Sequence, residues 1–483
     1  MPSRAFTYFY TAYTLVTAPV WLAAAAIYNI PKFLRPNAAW SWKTAFTSSQ
    51  WTVTMNYLTT IQKAWPKSLE AGPLGNQFIV LHPQKTITTK TKEGQESTQS
   101  EVYKGITCSV PGVEPLPVGA VWFPEAPAEP PRRLIIHFYG SAYVMFGSRP
   151  GETGEVGINE LSKMSGWPAL AIQYRLSRDK KTTFSAALQD GITAYVYALE
   201  VLKIPASQIV FAGDSAGGNL VVALLRYINE ENPALPLPRC AILSSPWVDL
   251  STKSIENVPR NRNYNADYVT QDFLDWGRKA YTPEGWDSSN SWITFLGNET
   301  QLGIPVFVNA GTSEVLYDDI MKFAENLMEK GNEVEVLETP NSCHVPYRLG
   351  KDWDLEEEQA ICLATMTKFL EKTVIRLDTN QAFPDAVNFC KNQSSSSKSS
   401  VTALRLQSET ENIRIEGVKT APRNIVKAFV ERDQDVKLLR ERSESLQAHP
   451  GVKFQREQWY PIKLDAVRKT HVVDDLGKEK SDF

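Results

Sequence analysis

Short apolar runs alternate with amphipathic segments from Gln77 to about Leu377. The clearest runs are LIIHFYG (134–140), ALAIQYRL (169–176), QIVFAGDS (208–215), CAILSSP (240–246), PVFVNAG (305–311) and EVEVLE (333–338). Patterns with helical spacing lie between them, and the helical pattern after PVFVNAG stops at Gly331, a residue type that commonly ends helices. This alternation predicts an α/β domain with a mostly parallel central sheet and helices on both faces.

The N-terminal segment carries no charged residue between Arg4 and Lys32. Its apolar stretch, FTYFYTAYTLVTAPVWLAAAAIYNI, is long enough to cross a hydrocarbon layer that requires about 20 residues. We therefore expect residues 1–35 to form a single-pass membrane anchor, located in the endoplasmic reticulum. A cleaved signal peptide is the alternative. It is disfavoured because the stretch is long and aromatic in its first half, and no small-residue cleavage site precedes a polar start.

The side of the membrane that carries the rest of the chain stays open. Three basic residues follow the apolar stretch closely and one precedes it, which favours a cytosolic location by the positive-inside rule. Two glycosylation sequons, at Asn298 and Asn392, would matter only in a lumen.

Composition changes along the chain predict further divisions. Residues 36–377 form the expected catalytic domain, and its aromatic-rich segments 40–67 and 249–292 would form a helical cap or else ordinary connecting helices. The serine-rich stretch within 378–400 is typical of a flexible linker. We expect the tail, residues 401–483, to be a small α+β unit or partly disordered, with a helix over IVKAFVERDQDVKLLRER between two strands.

Charge and cysteine content exclude some functions. A formal net charge of -3 provides no basic field for nucleic acid. The five cysteines are scattered without metal-ligand spacing, so we expect no metal. Cys343 beside His344 allows a thiol nucleophile in principle, but the surrounding residues carry no cysteine-protease signature.

The segment Gly213-Asp214-Ser215-Ala216-Gly217 matches the pattern GxSxG between an apolar run and a helical pattern. In that context a strained strand-to-helix turn presents a serine hydroxyl above the sheet, and glycines leave room around it. We therefore predict that Ser215 is a nucleophile. A purely structural tight turn is the alternative.

A serine requires a base, and in this arrangement the acid and then the histidine come after it along the chain. That order excludes His82 and His137, and of the later histidines only His344 comes shortly after a predicted sheet strand. Glu314 comes directly after PVFVNAG, at the carboxyl end of a strand, where α/β sheets place functional groups. Asp318 and Asp319 open the next helix and suit a capping role. We predict Glu314 as the acid.

Hydrolysis through an acyl-enzyme requires backbone donors for the charge that develops on the attacked carbonyl oxygen. The N–H of Ala216 is one expected donor. The loop Tyr139-Gly140-Ser141-Ala142 comes after the strand LIIHF, and its Gly140 and Ser141 supply the others.

Three motifs carry a family resemblance: GDSAGGNL (213–220), SPWVDLS (245–251) and GTSEVLYDD (311–319). Through them the chain, from about Phe78 to Leu377, resembles the hormone-sensitive-lipase-like branch of α/β-hydrolases. That branch includes arylacetamide deacetylase and the fungal steryl acetyl hydrolases. The resemblance implies the α/β-hydrolase fold, a fungal source and Glu314 in the acid position. Two features depart from the family pattern: its HGGG is Tyr139-Gly140-Ser141-Ala142 here, and its acid is usually aspartate.

The motifs together predict a hydrolase for a carboxylic ester, with a short acyl group such as acetyl on a lipophilic alcohol. The alcohol could be a sterol, a xenobiotic or a secondary metabolite, and no cofactor is required. Two alternatives remain at this point: an acyltransferase that uses the same acyl-enzyme, and an inactive protein that binds a small lipophilic molecule. The sequence does not indicate protein partners.

Overall fold

The structure, a computed structural model, describes the chain in several ranges. These are residues 2–63, 65, 67–90, 97–382, 404–407, 412–421, 425–430 and 461–465. They divide into two compact units, Met1–Phe369 and Leu370–Phe483.

An eight-stranded sheet forms the centre of the first unit, in the order β1-β4-β6-β5-β7-β8-β9-β10. Its strands are β1 (Phe78–Leu81), β4 (Val118–Phe123), β5 (Leu134–Phe138), β6 (Ala169–Gln173), β7 (Ile209–Asp214), β8 (Cys240–Ser244), β9 (Val306–Gly311) and β10 (Val334–Thr339). Strands β2 (Thr86–Lys90) and β3 (Ser97–Glu101) form a separate hairpin. The ladder is parallel from β6 through β10, and β4 pairs antiparallel with both of its neighbours. The predicted mostly parallel sheet is confirmed.

Burial explains why the sequence runs of these strands are continuously apolar. Every residue of β5, β7, β8 and β9 is buried. Strands covered on both faces have no solvent side, so they lose the alternation of a half-exposed strand.

Nine helices surround the strands in the described part of the chain. They are α1 (Arg4–Tyr28), α2 (Trp42–Thr60), α3 (Ile158–Ser165), α4 (Ala186–Glu200), α5 (Ala216–Arg226), α6 (Thr252–Asn257), α7 (Gln271–Tyr281), α8 (Tyr317–Glu329) and α9 (Glu356–Ala382). Helix α8 ends as expected, with Gly331 in the left-handed region at φ 83° shortly after its last turn. Helices α6 and α7 lie in the predicted cap segment 249–292.

Helix α1 is long and apolar enough to cross a membrane, and none of its residues is buried in the protein. Length and composition are equally compatible with a signal sequence. The helix lies along α2, since Thr11 Oγ1 and Tyr57 OH are 3.0 Å apart and Trp42 Nε1 donates to Ala26 O at 2.8 Å. Helix α2 is itself bonded to the segment before α7 through a hydrogen bond from Ser48 Oγ to Ala266 O.

The segment between α1 and α2 contacts two loops at the carboxyl edge of the sheet. Asn37 Nδ2 donates to Ser313 Oγ at 3.0 Å and to Asn341 Oδ1 at 3.1 Å. Trp40 is buried and its indole N–H donates to the carbonyl oxygen of Asn341. Residues 36–41 are therefore bonded to loops at the carboxyl edge of the central sheet.

Four antiparallel strands of the second unit are described: β11 (Leu404–Gln407), β12 (Asn412–Ala421), β13 (Ile425–Val430) and β14 (Pro461–Asp465). The predicted helix over 425–442 is wrong for its first six residues, which form β13 and pair with strands on both sides. Residues 431–442 lie outside the described part, as does the predicted linker from 383 to 400. Helix α9 continues past the predicted domain end at Leu377 to Ala382.

A buried ion pair joins the end of β6 to α4. The guanidinium of Arg175 contacts the Asp190 carboxylate at 2.9 Å, and the Arg175 N–H donates to the same carboxylate at 2.7 Å. Burial raises the pKa of Asp190, and Arg175 opposes that rise. The carboxylate thus depends on its partner to remain ionised inside the domain.

We predict that Arg175→Met destabilises the protein by about 3–5 kcal/mol, because a buried carboxylate loses its compensating charge. The loss should be larger at pH 8 than at pH 5, since protonation of Asp190 relieves the uncompensated charge. Urea unfolding at both pH values measures it. The control is Glu284→Gln, which breaks the exposed Lys180–Glu284 pair and should leave the unfolding midpoint unchanged. Equal effects of the two variants would contradict the prediction.

Candidate active site

Ser215 stands between the last residue of β7 and the first residue of α5, with φ 52° and ψ −119°. This left-handed backbone is unfavourable for a side-chain-bearing residue and persists only where neighbours hold it. Two backbone hydrogen bonds do so: the Ser215 N–H donates to Ser244 O at 2.9 Å, and the Trp247 N–H donates to Ser215 O at 3.0 Å. The sharp turn that the GxSxG pattern predicts is present.

Glycines allow the chain to approach itself around this turn. A Cβ on Gly213 would lie 2.3 Å from the carbonyl oxygen of Gly217, and a Cβ on Gly217 would lie 1.9 Å from that of Phe138. Both positions therefore exclude any other residue type unless the backbone moves. The motif residues are required by the packing of β5, β7 and α5.

His344 and Glu314 form a buried hydrogen-bonded pair. His344 Nδ1 and Glu314 Oε2 are 2.6 Å apart, and the two residues are 4% and 0% exposed. The other oxygen of Glu314 accepts from the Gly311 N–H at 2.9 Å and from Ser245 Oγ at 3.0 Å. A carboxylate held in this way fixes the ring orientation and favours the tautomer with its proton on Nδ1, which leaves Nε2 as the basic nitrogen.

The two competing carboxylates have other partners. Asp318 forms an exposed ion pair with Arg262 at 2.9 Å. Asp319 accepts from Ser254 Oγ at 3.1 Å, and burial raises its pKa to about 6. Both lie in the first turn of α8, as the sequence indicated.

A hydrogen bond joins the segment after His344 to the residue before Ser215. Tyr347 lies in the loop after β10 that carries His344, the histidine loop. Its OH donates to Oδ1 of Asp214, the residue directly before Ser215, at 2.6 Å. The described residues show no hydrogen bond between Ser215 Oγ and His344 Nε2. Such bonds are often long in enzymes without substrate and shorten in the complex.

The loop after β5 lies against the serine. A Cβ on Gly140 would be 2.7 Å from the Cβ of Ser215, so only glycine fits there without movement. Within the described part of the chain, the backbone N–H groups of Gly140, Ser141 and Ala216 have no hydrogen-bond acceptor. Ala216 is also the first residue of α5, where the helix leaves its N–H groups free for an anion. The three predicted donors therefore remain available for an oxyanion.

Tyr139 replaces the usual histidine of this loop and is held by Tyr174. The two rings stack with centroids 4.4 Å apart, and Tyr174 OH donates to Tyr139 O at 2.7 Å. Tyr174 OH also lies 3.3 Å from Ser141 Oγ. These contacts of Tyr174 support the loop beside Ser215.

Sequence reasoning missed two residues at the site. Ser245 comes directly after β8 with φ 46°, and its hydroxyl donates to Glu314 while accepting from the Val345 N–H at 2.9 Å. Its position at a strand end was a usable signal. Asp267, from the cap, is buried and accepts from the N–H of Val315 at 2.8 Å. No spacing in the sequence relates it to the site.

Oxygen and nitrogen atoms of Asp267, Glu314 and His344 lie within 4.8 Å of one another, which is close enough to consider a metal ion. Both oxygens of each carboxylate already accept hydrogen bonds, and the Glu314 oxygen that faces His344 is engaged with the ring. The arrangement therefore suits stabilisation of a positively charged imidazole better than binding of a metal ion. That no metal or cofactor is needed stays a prediction.

Residues 135–348 match a family model described as the alpha/beta hydrolase fold, and the sheet order and the turn at Ser215 agree with it. The chain has the α/β-hydrolase fold. Among curated relatives, an acetyl-hydrolase of Streptomyces hygroscopicus is 29% identical over 220 residues, which are 45% of this chain and 70% of that protein. An esterase of Acinetobacter venetianus is 28% identical over 40% of this chain and 60% of its own length.

Two further similarities bear the name hormone-sensitive lipase. The human protein is 35% identical over 92 residues, only 18% of this chain and 8% of that protein. A crystal structure of a hormone-sensitive lipase from a metagenome library is 26% identical, with a TM-score of 0.45 over 53% of this chain and 82% of that chain. The relatives named acetyl-hydrolase and esterase support an ester hydrolase. The hormone-sensitive-lipase-like branch and the fungal source stay predictions.

The contacts of the three carboxylates generate a prediction for ester hydrolysis. Glu314→Gln should lower kcat by about 10² to 10⁴, because an amide cannot stabilise the imidazolium and favours the wrong tautomer. Asp318→Asn and Asp319→Asn should retain kcat within about tenfold of the parent, because their partners lie away from the ring. The assay is kcat at neutral pH with folding checked by circular dichroism. A large loss of kcat in Asp318→Asn or Asp319→Asn, together with a nearly unchanged kcat in Glu314→Gln, would contradict the assignment.

Proposed function

We propose that this chain is a serine hydrolase of carboxylic esters, with Ser215 as nucleophile, His344 as base and Glu314 as orienting acid. One observation carries the proposal: Ser215 is held in a left-handed turn against Gly140, with three backbone donors free beside it. A serine with a purely structural role would not require this unfavourable backbone conformation. The arrangement suits a hydroxyl that attacks a substrate carbonyl and N–H groups that stabilise the negative charge formed on its oxygen.

The proposed reaction begins when Ser215 Oγ attacks the ester carbonyl carbon while His344 Nε2 takes the hydroxyl proton. Glu314 stabilises the resulting imidazolium through Nδ1. The N–H groups of Gly140, Ser141 and Ala216 bind the oxyanion of the tetrahedral intermediate. When the intermediate collapses, His344 returns the proton to the departing alcohol. Water, activated by the same histidine, then releases the acid and restores Ser215.

A short acyl group on a lipophilic alcohol is the substrate class that we propose. Ser141 and Ala142 carry side chains where the family pattern has glycines, which is consistent with a small acyl site beside the oxyanion donors. Aromatic residues border the histidine: Tyr268 lies 6.0 Å from the His344 ring and Trp353 lies 5.5 Å from Tyr268, centroid to centroid. The name of the Streptomyces relative, an acetyl-hydrolase, is consistent with a small acyl group.

We also propose that α1 attaches the enzyme to a membrane, where lipophilic esters concentrate. Its outward side chains include Tyr8, Phe9, Val16 and Trp21, each more than half exposed. An apolar surface of that kind is typical of contact with lipid. The location in the endoplasmic reticulum and the single crossing stay predictions.

Labelling with a fluorophosphonate tests the nucleophile. The full-length protein should react, and Ser215→Ala should lose both labelling and turnover while its melting temperature stays nearly unchanged, because the hydroxyl makes no hydrogen bond that the fold requires. A matched control is Ser245→Ala, which removes a neighbouring hydroxyl but leaves the nucleophile and should retain labelling at a reduced rate. Labelling that persists in Ser215→Ala would refute the assignment.

Deletion of residues 1–30 tests the membrane attachment. The shortened protein should move from the membrane pellet to the soluble fraction and retain esterase activity, because Asn37 and Trp40 still hold the Asn341 loop. Deletion through Ser41 removes those contacts and should reduce activity by about tenfold or more, as misplaced catalytic groups do. A folded 31–483 protein that still pellets would show that α1 is not the attachment.

A further inference from the structure

The cap contributes a second buried carboxylate to the neighbourhood of His344. Asp267 is 1% exposed and lies in the turn-rich segment that precedes α7. One of its carboxylate oxygens, one of Glu314 and a ring nitrogen of His344 lie within 4.8 Å of one another. Glu314 already holds the ring through Nδ1, so Asp267 adds a negative charge that the proposed mechanism does not use.

Backbone N–H groups from both catalytic loops bind this carboxylate. The Val315 N–H, directly after Glu314, donates to Oδ2 at 2.8 Å. The N–H of His344 itself donates to Oδ1 at 3.4 Å, and the Tyr268 N–H donates to the same oxygen at 2.8 Å. Asp267 therefore connects the cap to two loops: the loop after β9 that carries Glu314, the acid loop, and the histidine loop.

Neighbouring cap residues fix the position of this segment. Asn263 Nδ2 donates to Thr312 O at 3.0 Å and to Glu314 O at 2.9 Å, and Asn261 Nδ2 donates to Val315 O at 2.9 Å. The segment thus runs along the acid loop through several hydrogen bonds. These hydrogen bonds from Asn261 and Asn263 place the Asp267 side chain, which would keep its position without a charge of its own.

The charge of Asp267 is costly for the fold. Burial is the largest cause that raises its pKa to about 6, and Glu314 adds to the rise, whereas His344 and the backbone N–H groups of Val315 and Val269 oppose it. No lysine or arginine forms an ion pair with Asp267 in the described part of the chain. A neutral residue would avoid this cost, and an unfavourable buried charge beside a reacting group is characteristic of functional sites.

We infer that Asp267 is a positioning residue of the triad, which holds the two loops together and stabilises the imidazolium of His344 during catalysis. The inference rests on the proposed function. The ionisable groups that face it are Glu314 and Cys343 on neighbouring loops, Tyr268 beside it, and His344. Of these only His344 gains positive charge during the reaction, so the interaction with Asp267 is stronger in the transition state than before it.

The direction of the pH effect distinguishes this role from a structural one. A negative charge favours protonation of a nearby ring, and the free enzyme needs His344 unprotonated. Removal of the charge makes the ring harder to protonate, so the acid limb of the kcat/KM profile moves to lower pH. At the same time kcat falls, because the imidazolium formed in the reaction is less stabilised. A loss of structure alone would lower activity without moving the limb.

The experiment compares Asp267→Asn with the full-length parent, using hydrolysis of p-nitrophenyl acetate between pH 4 and 9. We expect kcat to fall about tenfold and the acid limb to move down by about one unit. Asp319→Asn is the matched control: Asp319 is a half-buried aspartate whose pKa burial also raises to about 6, but it binds Ser254, and its profile should equal that of the parent. An unmoved limb in a folded Asp267→Asn protein would overturn the inference.

Asp267→Glu serves if the asparagine variant does not fold. It keeps the charge, so the acid limb should stay in place while kcat falls through the altered position. A limb that moves with the charge retained would also overturn the inference. Fluorophosphonate labelling distinguishes a failure of the proposed function from a failure of the role of Asp267. If the parent is not labelled, the proposed function fails, whereas a labelled parent with an unmoved Asp267→Asn limb removes only the role of Asp267.

Discussion

The left-handed backbone of Ser215 is the constraint on which the site depends. Backbone hydrogen bonds to β8 and from Trp247 hold it, where β5, β7 and α5 come so close that Gly140, Gly213 and Gly217 tolerate no side chain. The same approach places the loop after β5 against the serine and leaves its N–H groups without acceptors. Strain at one residue, glycine at three others and the free donors are thus a single consequence of how the strands pack.

Electrostatics at the carboxyl edge of the sheet are set by burial. His344 lies beside two carboxylates, Glu314 and Asp267, and all three residues are buried. Each carboxylate is kept in place by neutral donors: a hydroxyl and backbone N–H groups. Neutral donors stabilise the negative charges without cancelling them, so their field remains available to a positive imidazole.

The N-terminal region is coupled to this edge. Helix α1 lies on α2, α2 is bonded to the cap at Ala266, and the segment between the helices contacts the Asn341 loop through Asn37 and Trp40. Ala266 directly precedes Asp267. Attachment of α1 to a lipid surface would therefore hold the catalytic loops at a fixed distance from it, which suits a substrate that partitions into lipid.

The sequence by itself determined the fold class and the residues that stand at strand ends or in a local motif. Ser215, Glu314 and His344 could be named because parallel strands place their carboxyl-terminal loops at one edge of the sheet, and GxSxG requires its strand and helix. The strand Ile425–Val430 was mistaken for helix because a short apolar run fits both periods, and pairing with two neighbouring strands decides between them. Tertiary structure decided which partner each carboxylate of that stretch meets: Glu314 binds His344, whereas Asp318 binds Arg262 and Asp319 binds Ser254. Only the folded chain revealed Asp267, because its contacts join segments far apart in sequence and no local pattern records such contacts.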